Sequence, residues 1–235
     1  MRCGRGAGMS SEALEKMRGG LVVSCQAEEG EPFYSPESMA RFARCAEMGG
    51  AVGIRAKEPD IRAIREMCGL PIIGIDKVYL EGFEVYITPR FEDAQRIADA
   101  GAAIIALDCT PRPRPGGVTM EQLVRRIKSE LKLPVMADIA MVEEARAAEK
   151  AGADLVATTL SGYTAYSPKR ETPDFDLLEA VIRAVKVPVV AEGHIQTITE
   201  AKACFAVGAH AIVIGSAISR PVELTERFVR ALPRA

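Results

Sequence analysis

Eight short apolar runs in this chain each lead into a polar residue or a glycine. Those endings are the residues able to do chemistry: Gln26, Arg55, Lys77, Asp108, Asp138, Thr158 with Thr159, Glu192, and Gly215 with Ser216. A lysine, an arginine and three carboxylates can move protons if they converge, because each charge shifts the acidity of its neighbours. A lysine in such company can also form a Schiff base with a carbonyl. Taken singly, any of these residues could merely mark where an apolar run meets water. Their shared position at the ends of the runs gives the set its weight.

An anion site is expected near the end of the chain. Gly193, after the seventh run, and Gly215-Ser216-Ala217, after the eighth, are small residues whose backbone N–H groups a phosphate can approach. Arg220 precedes Pro221 at the start of the last helical stretch, where the helix dipole disfavours a cation unless an anion is near. It therefore reads as a phosphate ligand, a solvated surface arginine being the alternative. Two long connections could close over a substrate. Ser161 to Pro173 carries Tyr163 and Tyr166, and Cys109 to Val118 carries Arg112 and Arg114, which could instead lie in solvent or on a subunit contact.

The missing residues narrow the chemistry as well. With two histidines, His194 and His210, the chain is poorly supplied for a His/Asp metal cluster, and no metal is expected. Neither G-x-x-x-x-G-K-[ST] nor G-x-G-x-x-G follows a strand, so no nucleotide cofactor is indicated. Cys25 and Cys109 border the same region and could act as a thiol pair, though buried cysteine more often serves as a small hydrophobe.

Positioning these groups requires a β/α chain, since apolar runs alternate with amphipathic Ala/Glu/Arg-rich stretches along the whole length. Strands are predicted near Leu21 to Cys25, Ala51 to Ile54, Ile72 to Ile75, Ala103 to Leu107, Val135 to Ala137, Leu155 to Ala157, Val189 to Ala191 and Ala211 to Ile214. Helices are predicted around Pro36 to Met48, Glu58 to Met67, Phe91 to Ala100, Thr119 to Leu131, Val142 to Ala151, Asp174 to Val185, Thr199 to Val207 and Val222 to Ala231. Glycine precedes half of the strands and proline most of the others, as helix stops and strand starts require. Continuously apolar strands are buried on both faces, which means a parallel sheet wrapped by helices. Eight such units in 235 residues close as a single-domain (β/α)8 TIM barrel, an open doubly wound sheet being the alternative. The barrel is expected over 10–235, with residues 1–9 as a short disordered N-terminal extension. In such a barrel the C-terminal strand ends share one mouth.

Composition sets outer limits. Apolar residues make up 48% and charged residues 26%, which is globular, and a net charge of -2 gives no attraction for nucleic acid. No apolar run approaches the roughly 18 residues of a membrane span, and Met1 to Gly8 lacks the apolar core of an export signal. The six cysteines form no C-x-x-C pair, which suits reduced thiols. A cytoplasmic enzyme without membrane or nucleic-acid partners is the expectation.

Several strings together resemble the N-acetylmannosamine-6-phosphate 2-epimerases: Gly20-Leu21-Val22-Val23-Ser24-Cys25-Gln26, Gly53-Ile54-Arg55-Ala56, Pro71-Ile72-Ile73-Gly74-Ile75, Val85-Tyr86-Ile87-Thr88-Pro89, Thr158-Thr159-Leu160-Ser161-Gly162-Tyr163-Thr164, Ala191-Glu192-Gly193, and Gly215-Ser216-Ala217-Ile218 with Arg220. The resemblance runs in order from about Gly19 to Phe228. It implies a cofactor-independent barrel, a homodimer, acting on an amino-sugar phosphate in sialic-acid and amino-sugar catabolism. It further implies Lys77 and Glu192 as the proton-handling pair. Gln26, Arg55, Thr88, Asp138, Thr158 and Tyr163 would bind the sugar, and Gly193, Gly215, Ser216 and Arg220 the phosphate. His194, Ala140, Asp76 and Val78 depart from the family pattern and bear on substrate scope. Besides a lysine base near Arg55, a Schiff-base aldolase and a sugar-phosphate sensor remain as alternatives.

Overall fold

The computed structural model describes residues 7–233. Its eight strands are β1 (Leu21–Cys25), β2 (Gly53–Lys57), β3 (Ile72–Ile75), β4 (Ile104–Asp108), β5 (Val135–Asp138), β6 (Leu155–Ala157), β7 (Val189–Glu192) and β8 (Ala211–Ile214). Every neighbouring pair is parallel, and β8 pairs back onto β1 to close the barrel. The expected (β/α)8 barrel is the fold.

The strands are apolar throughout because each faces two hydrophobic layers. Val22, Ile73, Ile75, Ile104, Met136, Leu155, Val190 and Val213 fill the interior. The alternating Val23, Ile54, Ile72, Ile105, Val135, Val156, Val189 and Ile212 pack outward against the helices. These helices are α2 (Pro36–Met48), α3 (Glu58–Met67), α4 (Phe91–Ala100), α5 (Met120–Arg126) with a wider π turn over Ile127–Leu131, α6 (Val142–Ala151), α7 (Phe175–Ala184) and α8 (Ile198–Val207). A short α9 (Ser216–Ser219) follows β8 and leads into α10 (Pro221–Ala231).

Left-handed glycines end α4, α6 and α8, at Gly101, Gly152 and Gly208. After α2, Gly50 takes the left-handed turn, while Gly49 stays right-handed.

Besides the short α9, a helix at the N-terminal end has no counterpart in the sequence reading. Helix α1 (Ala7–Met17) closes the N-terminal end of the barrel, its Ala13 and Met17 packed into the interior cluster with Val22 and Ile73. His210 fastens it, with Nε2 2.9 Å from Leu14 O. Of the N-terminal extension expected over 1–9, residues 7–9 belong to α1 and residues 1–6 lie outside the described ones.

Two departures from the expected strands matter for the site. Strand β2 runs past Arg55 to Lys57, so Arg55 sits inside a strand and not at its end. Between β3 and β4 the barrel is spread, with only Ile73–Ile104 and Gly74–Ile105 paired directly. The returning segment around Ile87 and Thr88 bridges the gap, since Thr88 N donates to Asp76 O at 2.7 Å and Asp108 N to Ile87 O at 3.0 Å.

Helix packing against β3 depends on Gly74. An added Cβ there would stand 2.3 Å from Ile97 Cγ2, 2.8 Å from Ala102 Cβ and 3.0 Å from Ile61 Cδ1. Gly74→Ala should therefore destabilise the fold by about 1–3 kcal/mol through overpacking, read as a lowered midpoint in denaturant unfolding.

Candidate active site

Strand alternation decides which groups enter the mouth. Positions two beyond an interior residue point inward again, so Val22 and Ser24 lead to Gln26, Ile75 to Lys77, Met136 to Asp138, Ala157 to Thr159, Val190 to Glu192, and Val213 to Gly215. The resulting cavity, of about 320 Å³, is lined by Gln26, Arg55, Lys77, Thr159, Tyr163, Glu192, Gly193, Gly215, Ser216 and Arg220, among others.

Its floor is an ion cluster. The Arg55 guanidinium, 1% exposed, donates from Nη1 to Asp138 Oδ1 at 3.0 Å, from Nη2 to Asp138 Oδ2 at 2.6 Å, and from Nη1 to Glu192 Oε2 at 2.9 Å. Thr159 Oγ1 lies 2.8 Å from Asp138 Oδ1 and 3.0 Å from Glu192 Oε2, and can donate to one of them at a time. Burial pushes the Glu192 carboxyl up to about 7; Arg55 opposes this and Asp138 adds to it. A carboxyl so placed gives up and takes back a proton near neutral pH.

Lys77 enters from the end of β3, where Ile87 holds its backbone in an isolated bridge. Its Nζ donates to Glu28 Oε1 at 2.6 Å. Gln26 Nε2 donates to Ser24 Oγ at 2.8 Å. Over the opening, the Tyr163 ring is stacked on His194 at 4.8 Å and 9°. His194 itself holds a left-handed backbone, φ 59°.

The side of the cavity after β7 and β8 is built of main chain. Gly193, at φ 110°, and Gly215 bring backbone close to the opening, and Gln196 Nε2 holds Ser216 Oγ at 2.7 Å. Arg220 reaches the same region, its Nη2 on Glu31 Oε1 at 2.7 Å and its Nη1 on Glu223 Oε1 at 2.5 Å.

Several expected residues stand elsewhere. Thr158 points away from the interior and spends its hydroxyl on the Glu192 backbone, donating to O at 2.9 Å and accepting from N at 3.1 Å. Thr88 is fully buried, its hydroxyl donating to Ala106 O at 2.7 Å and accepting from Asp76 N at 3.2 Å. Asp138 lies beneath the cavity and acts on it through Arg55. Asp108 turns to its own loop, bonded to Thr110 N at 2.8 Å and Arg112 Nη2 at 2.5 Å. Arg112 and Arg114 border a separate cavity beside α5 and α6. Cys25 and Cys109 are buried, and burial pushes both thiols up, Cys25 to about 12, which suits small hydrophobes and not acid–base groups. The five cysteines among the described residues are free.

Sequence reasoning overlooked Glu28, Glu31, Tyr86 and Glu223, which share the lining or its ion pairs. They come from loops and a helix, where no strand alternation points to them. The inward turn of Thr159, in contrast, follows from counting two residues on from Ala157.

The family model described as "Putative N-acetylmannosamine-6-phosphate epimerase" matches residues 39–234. A "Putative N-acetylmannosamine-6-phosphate 2-epimerase" of Caldanaerobacter subterraneus subsp. tengcongensis is 49% identical over 223 residues, covering 94% of each chain. The solved structure of the N-acetylmannosamine-6-phosphate 2-epimerase from Clostridium perfringens superposes with a TM-score of 0.91 at 44% identity, covering 93% of this chain and 96% of that one. Thiamine phosphate pyrophosphorylase from Pyrococcus furiosus shares the fold alone, at a TM-score of 0.58 and 20% identity, with 94% and 99% covered.

The ion cluster makes a stability prediction. Arg55→Met strands two carboxylates and should cost about 3–5 kcal/mol in denaturant unfolding. Adding Asp138→Asn should cost less than its effect in the parent protein, because the partner charge is already gone. Simple additivity would show that the pair is not coupled.

Proposed function

The chain belongs to the N-acetylmannosamine-6-phosphate epimerase family, and on that premise we propose that it interconverts N-acetylmannosamine 6-phosphate and N-acetylglucosamine 6-phosphate. The observation that carries this reading is that Lys77 and Glu192 line one cavity whose other side is the main chain of Gly193 and Gly215.

The two sugars differ at C2. Inverting that centre requires taking its proton from one face and returning a proton to the other, which needs two groups or one mobile relay. In the open-chain sugar the C1 aldehyde takes up the electron pair as an enolate, and a nearby fixed cation lowers the barrier to it. Lys77 and Glu192 are the proton-handling groups in this proposal. Glu192, titrating near 7, serves as acid or base at neutral pH. Arg55 supplies the fixed positive charge, and Asp138 holds it in place.

Gln26 and Tyr163 contribute side chains on the sugar side of the cavity. Thr158 serves by fixing the Glu192 backbone, and Thr88 by bridging β3 to β4. The phosphate is assigned to Gly193, Gly215, Ser216 and Arg220. This side supplies a guanidinium and the start of a short helix, whose first N–H groups have no partner within the helix.

The chemistry needs no metal or organic cofactor, because the aldehyde is its own electron sink. Sialic-acid and amino-sugar catabolism is the setting the family supports. A cytoplasmic location is proposed with it, and no helix among the described residues is long and apolar enough to cross a membrane. A homodimer is proposed as well; exposed Phe228, Val229 and Leu232 along and just after α10 offer apolar surface for a second copy.

Proton NMR of the protein with N-acetylmannosamine 6-phosphate in deuterium oxide tests the reading. N-acetylglucosamine 6-phosphate should appear carrying deuterium at C2, and Lys77→Ala should slow this by about 10²–10⁴-fold. Unchanged turnover in Lys77→Ala would remove the lysine from the mechanism, and product without C2 deuterium would remove the proton-exchange route.

A further inference from the structure

The loop between β1 and α2 reaches both working ends of the cavity with one tight turn. Glu28 Oε1 accepts from Lys77 Nζ at 2.6 Å, and Glu31 Oε1 accepts from Arg220 Nη2 at 2.7 Å. The two acids are also tied to each other. Glu31 N donates to Glu28 O at 3.0 Å, and Glu28 N donates back to Glu31 Oε2 at 2.6 Å. A continuous line of hydrogen bonds thus runs from the lysine, through the turn, to the arginine at the phosphate side.

The turn is anchored at its flanks, and its tip is open to solvent. Lys57 Nζ donates to Ala27 O on one side and sits 4.8 Å over the Tyr34 ring on the other. Glu29 and Gly30, at the tip, are exposed, and Gly30 has the left-handed φ of 89° that lets the chain double back. Movement of the turn therefore does not require the loop as a whole to leave the barrel.

We propose that the Glu28–Glu31 turn is a phosphate-responsive latch on Lys77, which makes Glu28 and Glu31 specificity-determining positioning residues for phosphorylated sugars. A phosphate dianion on Arg220 competes directly with the Glu31 carboxylate, since both seek the same guanidinium edge. Displaced Glu31 withdraws its second oxygen from Glu28 N, and the turn loosens. Glu28 then releases Lys77, whose amine turns to the sugar. A sugar without phosphate leaves Glu31 on Arg220 and Lys77 held by Glu28. Discrimination thus falls on the proton-transfer step as well as on binding. The inference rests on the epimerase reading and adds a selection device to it.

The test supplies the substrate in two pieces to the full-length protein. Unphosphorylated N-acetylmannosamine in deuterium oxide is followed for C2 exchange, with and without added phosphite dianion. The parent protein should exchange slowly and be accelerated saturably by phosphite. Glu28→Ala and Glu31→Ala, both half-buried in a surface turn, should each raise the phosphite-free exchange rate by about five- to tenfold, the scale of releasing one partly exposed ion pair. The acceleration by phosphite should shrink in both, with the gain in kcat and not in KM for the unphosphorylated sugar. A phosphite-free rate unchanged or lowered in either variant overturns the latch. N-acetylmannosamine 6-phosphate run beside it separates the two claims, because absence of C2 exchange there in the parent protein defeats the epimerase reading itself.

Discussion

Everything at the mouth is arranged around one buried guanidinium. Arg55, inside β2 and closed off from water, must be matched by carboxylates, because an isolated charge at that depth is too costly to keep. Asp138 matches it through two hydrogen bonds and Glu192 through one. This sharing leaves Glu192 with burial unrelieved by a full counter-charge, and its carboxyl is pushed up to about 7. The same cluster joins the middle of β2 to the ends of β5 and β7 across the barrel, so the carboxyl of Glu192 is held by three strands at once.

The cavity then divides by chemistry. Fixed charge from β2, β5 and β7 lies at its floor. Main chain and small residues after β7 and β8 form one side, and Lys77 enters from β3 through a segment that Ile87 and Thr88 brace. The loop carrying Glu28 and Glu31 spans from Lys77 to Arg220. Strands thus hold Arg55, Asp138 and Glu192, and a surface turn holds the partners of Lys77 and Arg220.

The barrel was legible in the sequence because burial on both faces leaves continuous apolar runs, and because glycine and proline mark where helices stop. The plug α1 was not legible, although Gly19 follows it in the left-handed conformation, because it precedes the first strand and so falls outside the strand–helix alternation. The type of Arg55 marks it as chemical, but a charged residue within a strand looks like a boundary until its partners on β5 and β7 are known. Counting by twos from Ala157 would have favoured Thr159 over Thr158 as the inward threonine. Thr88 lay in a recognisable string, yet its place is the gap between β3 and β4, a tertiary feature that no local pattern encodes. Glu28 and Glu31 carried no signal, because charged loop residues usually mean only solvent.

Burial, with Asp138 adding to it and the shared guanidinium only partly opposing it, pushes the Glu192 carboxyl up to about 7. Carbon-13 NMR of the glutamate carboxyl carbons, with the Glu192 resonance identified by its loss in Glu192→Gln, measures this directly. The Glu192 midpoint should fall at about 7, and a midpoint near the ordinary glutamate value of 4.5 would mean that burial in the cluster does not raise it.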